Sequence, residues 1–229
     1  MRILTWNCDS SLARKLDPLL RLEPDVAVVQ ECEEDLRVPD GYSYAWRGNN
    51  PRRGLGVLLR NDEVNFESFA RSEWTYFVPI ALPALRIRLL ATWAYNHRAN
   101  RFGAAYVGNP LVVLRDPSLS AWLREGRSIV AGDFNNSVVF ERPSVKFAQI
   151  DGCLRDLRLE SAYHLSSGEK LGQEKLPTFF PKNQGRACHI DYCFVHESLT
   201  VESVSVPQCA EWRCYSDHVP VIVDLAMIR

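Results

Sequence analysis

Net charge is what this sequence most plainly lacks. Its 27 Lys and Arg residues oppose 28 Asp and Glu residues over 229 positions, a formal balance of -1 with a pI near 6.5. A chain so balanced does not coat nucleic acid through global counterion release, and any polyanion has to be met by local groups. Long apolar runs are missing too. The longest are broken by Arg, Asp or Pro within about ten residues, well short of a bilayer span, so no membrane association is expected. Met1 leads straight into a strand-like segment without the charged region and apolar core of a secretory signal. No repeat, low-complexity tract or linker divides the chain, which predicts a single domain over residues 1–229.

Cysteine is present but unpaired in number. Seven cysteines without a secretory signal fit a reducing, cytoplasmic setting better than a disulfide framework. Cys188-x4-Cys193 followed by Cys209-x4-Cys214 offers four thiolates to a zinc ion, although structural zinc pairs usually have tighter spacing. The plainer reading is that these are small apolar side chains on strands. At 46% hydrophobic and 24% charged residues, the chain can bury a sizeable core.

Strand signals recur at residues 2–6, 25–30, 54–59, 85–90, 128–132, 190–195 and 219–225, some alternating and some continuously apolar. Helical periodicity falls between them at Ser11–Arg21, Asn109–Arg124 and Val145–Leu157, and Ser166–Gln173 reads as an exposed loop. Hairpin-like strand pairs in 42–92 and 188–225 suit two packed sheets flanked by helices better than an alternating βαβ chain.

Several strands end on polar residues that could carry chemistry. Trp6-Asn7 closes the first, and Val28-Val29-Gln30-Glu31 ends in a carboxylate able to hold a cation. Ile129-Val130-Ala131-Gly132 stops at Asp133-Phe134-Asn135, where alternation places Asp133 and Asn135 on one side, able to polarise and orient a water. His189-Ile190-Asp191-Tyr192 and Ser216-Asp217-His218 complete the set: a hard oxygen ligand and an imidazole next to each other, with a second carboxylate able to fix that imidazole. Each motif alone is more often a turn, cap or solvated strand end. His164 and His196 read as ordinary surface or loop residues, and His189 as a structural hydrogen-bonding group or a site residue on the face of Asp191.

Taken in order, Trp6-Asn7, Gln30-Glu31, Gly132-Asp133-Phe134-Asn135, His189-Ile190-Asp191-Tyr192 and Ser216-Asp217-His218 resemble the endonuclease/exonuclease/phosphatase superfamily over nearly the whole chain. The resemblance implies an α/β fold, a four-layered αββα sandwich of two mixed sheets flanked by helices. It implies hydrolysis of a phosphodiester in a nucleic acid or nucleotide by metal-assisted attack of water. Phosphomonoesters, phospholipid-type substrates or an inactive binding module on the same fold are the alternatives. Residue by residue, it makes Glu31 the principal ligand of Mg²⁺ or Mn²⁺, with Asn7 and Asp217 beside the ion. Asp133 and Asn135 position and activate water, and His218, oriented by Asp191, meets the phosphoryl group. Trp93 stands where the family commonly has His or Tyr, and Asn96 matches an asparagine of some nuclease branches. Phe179-Phe180, with Lys182 and Arg186 following, is the candidate substrate contact. Arginine clusters at Arg47, Arg52 and Arg53, at Arg86 and Arg88, and at Arg98 and Arg101 offer a positive rim or a solvated face. No feature points to an obligate protein partner.

Overall fold

The computed structural model describes residues 1–61, 65–67, 74–95, 109–140, 147–182 and 185–226. Twelve strands occupy Arg2–Asn7 (β1), Val26–Cys32 (β2), Tyr42–Arg47 (β3), Gly54–Arg60 (β4), Asn65–Phe66 (β5), Phe77–Leu82 (β6), Ile87–Trp93 (β7), Ser128–Asp133 (β8), Leu159–Ser161 (β9), Asp191–His196 (β10), Val201–Ser205 (β11) and Val221–Leu225 (β12). Among the described residues, six helices lie at Leu16–Leu20 (α1), Pro110–Leu114 (α2), Pro117–Arg124 (α3), Phe147–Asp156 (α4), Ala162–Ser167 (α5) and Ala210–Tyr215 (α6), with a 3-10 turn at Leu12–Arg14. The continuous helix expected over Asn109–Arg124 is instead two. Asp116 accepts hydrogen bonds from the backbone N–H of Ser118 and Leu119, and Pro117 opens the second helix, so a cap interrupts the periodicity.

The strands form two six-stranded sheets, β11-β12-β1-β2-β4-β3 and β5-β6-β7-β8-β10-β9. Each sheet has one parallel pair at its centre, β1 with β2 and β7 with β8, and antiparallel pairs outward. The sheets pack face to face over one core cluster that takes Ile3, Val26 and Val28 from the first and Leu89, Ala91 and Ile129 from the second. A separate core joins the other face of the second sheet to α2, α3 and α4 through Leu90, Val130, Leu114, Leu119 and Ile150. On the far side of the first sheet, Trp212 of α6 meets Trp6 edge to face at 5.1 Å. These are the layers of an αββα sandwich.

One buried polar side chain ties the sheets together near the site. Gln30 Nε2 donates to Thr5 Oγ1 at 3.1 Å within its own sheet and to the Thr92 carbonyl at 3.3 Å in the other. Thr92 also fixes its parallel neighbour: a Cβ on Gly132, whose φ is +156°, would lie 1.7 Å from the Thr92 oxygen. Only a residue without a side chain lets β7 and β8 close here, one position before Asp133.

Gly132→Ala is therefore expected to cost roughly 2–4 kcal/mol of stability by combining backbone strain with overpacking. Thermal denaturation checks it, and an unchanged melting temperature would show that the close approach is unimportant.

Candidate active site

Chain direction gathers the polar strand ends at one edge. β1, β2 and β8 deliver Asn7, Glu31 and Asp133 at or near their carboxyl ends, whereas β10 runs antiparallel to β8 and presents Asp191 at its first residue, opposite Asp133 in register. β12 runs antiparallel to β1, so His218 arrives just before its amino end.

Asp133 is fully buried and held on three sides. Its Oδ1 accepts from the Asn135 backbone N–H at 2.7 Å, and its Oδ2 accepts from Asn135 Nδ2 at 2.9 Å and Asn7 Nδ2 at 3.0 Å. Asn135 reaches it past the end of β8 through a left-handed backbone, φ 47°, and not by strand alternation. Asp191 is equally buried, and its Oδ2 pairs with His218 Nδ1 at 2.8 Å. Ligand atoms of Asp133, Asp191 and His218 lie within 4.8 Å of one another, the one such His, Cys, Asp and Glu cluster among the described residues.

Burial, then the neighbouring Asp191 charge, pushes Asp133 up to about 7, against the pull of His218 and the hydrogen bonds from Asn7 and Asn135. For His218, burial opposes the charge, but Asp191 outweighs it, with Asp133 and Asp217 adding to the pull, and the imidazole rises to about 9. His218 thus carries its proton near neutrality while Asp133 is poised to exchange one.

Glu31 reaches the site through a break in β2. Register with β4 slips between Gln30 and Cys32, and Glu31 takes φ 61°, which turns its carboxylate to the side of Asn7, whose Nδ2 lies 3.3 Å from Oε1. Its Oε2 is held by Arg53, with Nη2 at 2.6 Å and Nε at 2.9 Å. Asp217 Oδ2 lies 3.6 Å from Lys182 Nζ, which meets Asp9 Oδ2 at 2.5 Å. Trp93, at the end of β7, is buried against Tyr76 and Tyr95, each with its ring 4.8 Å away, and its indole N–H has no partner among the described residues. Asn96, Arg98 and Arg101 lie outside the described residues.

Asp9 and Thr178 escape the sequence reading, and Arg53 and Lys182 take on carboxylate partners that it did not give them. Asp9 and Lys182 form the ion pair beside Asp217, and Arg53 grips Glu31. Thr178 Oγ1 accepts from the Ile190 and Asp191 backbone N–H, while its carbonyl accepts from Val219 N–H, so it fastens the Asp191 strand to the His218 segment. Asp9 follows Asn7 by two residues and could have been suspected as a hard oxygen donor on the same turn. The partners of Arg53, Lys182 and Thr178 are distant in sequence, and no local pattern marks them.

The other histidines among the described residues are structural. His189 Nδ1 bonds the Leu176 carbonyl, and His164, inside α5 and not on an open loop, bridges Ser161 Oγ and Glu174. His196 is buried at the end of β10 and bonds Ser198 Oγ. Cys193 is buried on β10, Cys209 and Cys214 are exposed, and with Cys188 they remain free thiols. Ser166–Gln173 is helical in its first two residues, and beyond it Gly172 N–H and Lys175 N–H are pinned by Glu174 and Glu169.

The donor set fits a hard divalent cation. Asp9, Glu31, Asp133, Asp191 and Asp217 face three cationic groups, Arg53, Lys182 and His218, which leaves two negative charges in surplus if all five ionise. Asp191 Oδ1 is also buried without a hydrogen-bond partner among the described residues. Oxygen-rich sites with uncompensated carboxylates suit Mg²⁺ or Mn²⁺ better than zinc.

Beside Asp217 a cleft of about 350 Å³ is lined by Phe180, Lys182, Arg213 and Tyr215, with the Arg213 guanidinium 4.6 Å above the Phe180 ring. No helix among the described residues is long and apolar enough to cross a membrane.

Known proteins with this architecture can now be set beside it. A 3' phosphatase (NExo) from Neisseria, solved bound to a product DNA hairpin, superposes with a TM-score of 0.73 at 19% identity, covering 99% of each chain. An AP endonuclease from Archaeoglobus fulgidus gives 0.73 at 16% identity over 98% of each chain. The Xenopus laevis APE2 catalytic domain gives 0.67 at 15% identity, covering 98% of this chain and 91% of that one. No curated protein matches the sequence. The sequence profile described as Endonuclease/Exonuclease/phosphatase family matches residues 4–218, which span every site residue named above, and this chain belongs to that family.

Proposed function

We propose that this protein is a divalent-metal-dependent phosphodiesterase whose substrate is a nucleic acid or nucleotide. The observation that carries the reading is the buried cluster in which Asp133 and Asp191 face one another beside His218. A structural role needs no such arrangement, because two buried carboxylates in register are costly unless the charge is used.

In this reading Asp133 is the general base. Its raised affinity for a proton suits it to accept one from water near neutral pH, and Asn135 and Asn7 fix its two oxygens. His218 already holds its proton, so it acts as a donor to a phosphoryl oxygen, and Asp191 fixes the ring and sustains the charge. Glu31, Asn7, Asp9 and Asp217 would hold Mg²⁺ or Mn²⁺, which when bound supplies Lewis-acid stabilisation of charge on the phosphoryl and leaving-group oxygens. Trp93 cannot replace a His or Tyr as an acid, and this reading assigns proton donation to His218. The aromatic and basic cleft at Phe180, Lys182 and Arg213 provides a stacking face and cationic groups for a nucleotide next to the scissile phosphate.

The 3' phosphatase neighbour favours one second reading, a phosphomonoester at a DNA end. Product release from single-stranded DNA, abasic duplex DNA, RNA, dinucleotides, nucleoside monophosphates and inositol phosphates separates the two. Cleavage should require Mg²⁺ or Mn²⁺ and stop on chelation; turnover of terminal phosphates alone selects the second reading, and activity in excess chelator rejects both.

Asp133→Asn should lower turnover by about 10²–10⁴-fold, the usual worth of a general base, with a cooperative melting transition retained. Near-wild-type turnover would remove Asp133 from the mechanism. The pH profile of the metal-loaded enzyme should be bell-shaped, its alkaline limb set by His218 near 9 and its acid limb by Asp133 at or below about 7, since a nearby cation lowers a carboxylate. In the cation-free protein His218 holds more protons folded than unfolded, so the stability it adds is present below its ordinary value of 6.5 and the melting temperature should fall as pH rises from about 7 to about 9. A flat stability profile there would show that His218 is not shifted upward.

A further inference from the structure

The carboxylates assigned to the cation already have cationic side chains on them. Arg53 directs Nε and Nη2 to Glu31 Oε2, and Lys182 Nζ sits at 2.5 Å from Asp9 and 3.6 Å from Asp217. Between them these two residues cover every carboxylate of the site except the buried Asp133 and Asp191. Neither is locked in place, since the Arg53 side chain is 38% exposed and that of Lys182 62%. A guanidinium and an ammonium at this degree of exposure are held by about 1 kcal/mol or less per pair, and a dehydrated divalent ion concentrates more charge on the same oxygens.

We propose that Arg53 and Lys182 are resident counter-cations of the metal site, displaced from Glu31 and from Asp9 and Asp217 when the divalent ion binds and transferred to the phosphate oxygens of the substrate. The inference rests on the metal-dependent reading given above and says which of this chain's own groups exchange places. Arg53 has a surface to turn against, because its guanidinium carbon lies 5.9 Å from the centre of the Trp93 ring. Lys182 lies in the wall of the cleft beside Phe180 and Arg213, where a flanking phosphate would enter. Without the ion the two side chains keep the carboxylates compensated. With it, they become the free cations of the pocket, and ion and substrate each favour binding of the other.

Calorimetric titration of the full chain with Mn²⁺ tests the exchange in the absence of substrate. Arg53→Gln and Lys182→Gln should each tighten Mn²⁺ binding by about three- to tenfold, because a competing cation is gone. Arg52→Gln, one residue along and exposed, should change it by less than about twofold, the screened effect of a distant surface charge. A second readout needs no variant: acetylation of Lys182 in the wild-type chain, quantified by peptide mass spectrometry, should rise severalfold when Mn²⁺ is added. Weaker Mn²⁺ binding in Arg53→Gln would overturn the proposal and make Arg53 a bracket for Glu31, and Lys182 labelling that ignores Mn²⁺ would overturn its other half. If the wild-type chain binds no Mn²⁺, the metal-dependent reading itself fails, a result distinct from binding that the variants leave unchanged.

Discussion

Two carboxylates stand opposite one another in the register of β8 and β10, both out of contact with solvent. Like charges so placed cannot both persist in a low-dielectric interior without cations and donors around them, and most of the site answers that constraint. His218 is drawn in on Asp191, Asn135 and Asn7 close on Asp133, and Thr178 fixes the backbone that carries Asp191. Without the pair, His218, Asn135 and Asn7 would each lose a hydrogen-bond acceptor.

The constraint also explains the use of two sheets. Asp133 and Asp191 come from one, Asn7 and Glu31 from the other, and Asn7 spans the gap through hydrogen bonds to both Glu31 and Asp133. Gln30, one residue before Glu31, fixes the separation of the sheets by bonding the Thr92 carbonyl. Rigid strands joined by a polar cross-link hold catalytic groups more precisely than loops would. The sandwich therefore sets the inter-sheet distance at the position where Asn7, Glu31 and Asp133 meet.

Much of this was legible in the sequence because buried central strands leave continuous apolar runs. β1, β2, β4, β8 and β10 stand where those runs predict, and the polar residues at their ends include Asn7, Glu31, Asp133 and Asp191. Edge strands β3, β5, β9 and β11 are short or half exposed and carry weaker patterns. Backbone exceptions were hidden. A bulge aims Glu31, and a left-handed residue aims Asn135, so period-two counting misplaces the first and brings the second to Asp133 for the wrong reason. The pairing of Arg53 with Glu31 and of Lys182 with Asp9, and the tie made by Thr178, could not be read because they rest on contacts between separate segments of the chain.

β1 lies between β2 and β12, so the first strand of the chain is completed by the last. The Ser216 hydroxyl donates to the Asn7 carbonyl across 209 positions, and the Trp6 indole donates to the carbonyl of His218 across 212. A chain still being synthesised can pair β1 with β2 yet has neither His218 nor the strand that covers the open edge of β1. If His218 acts as proposed, an amino-terminal fragment that ends before residue 218 lacks the imidazole paired with Asp191, whatever part of the fold it achieves.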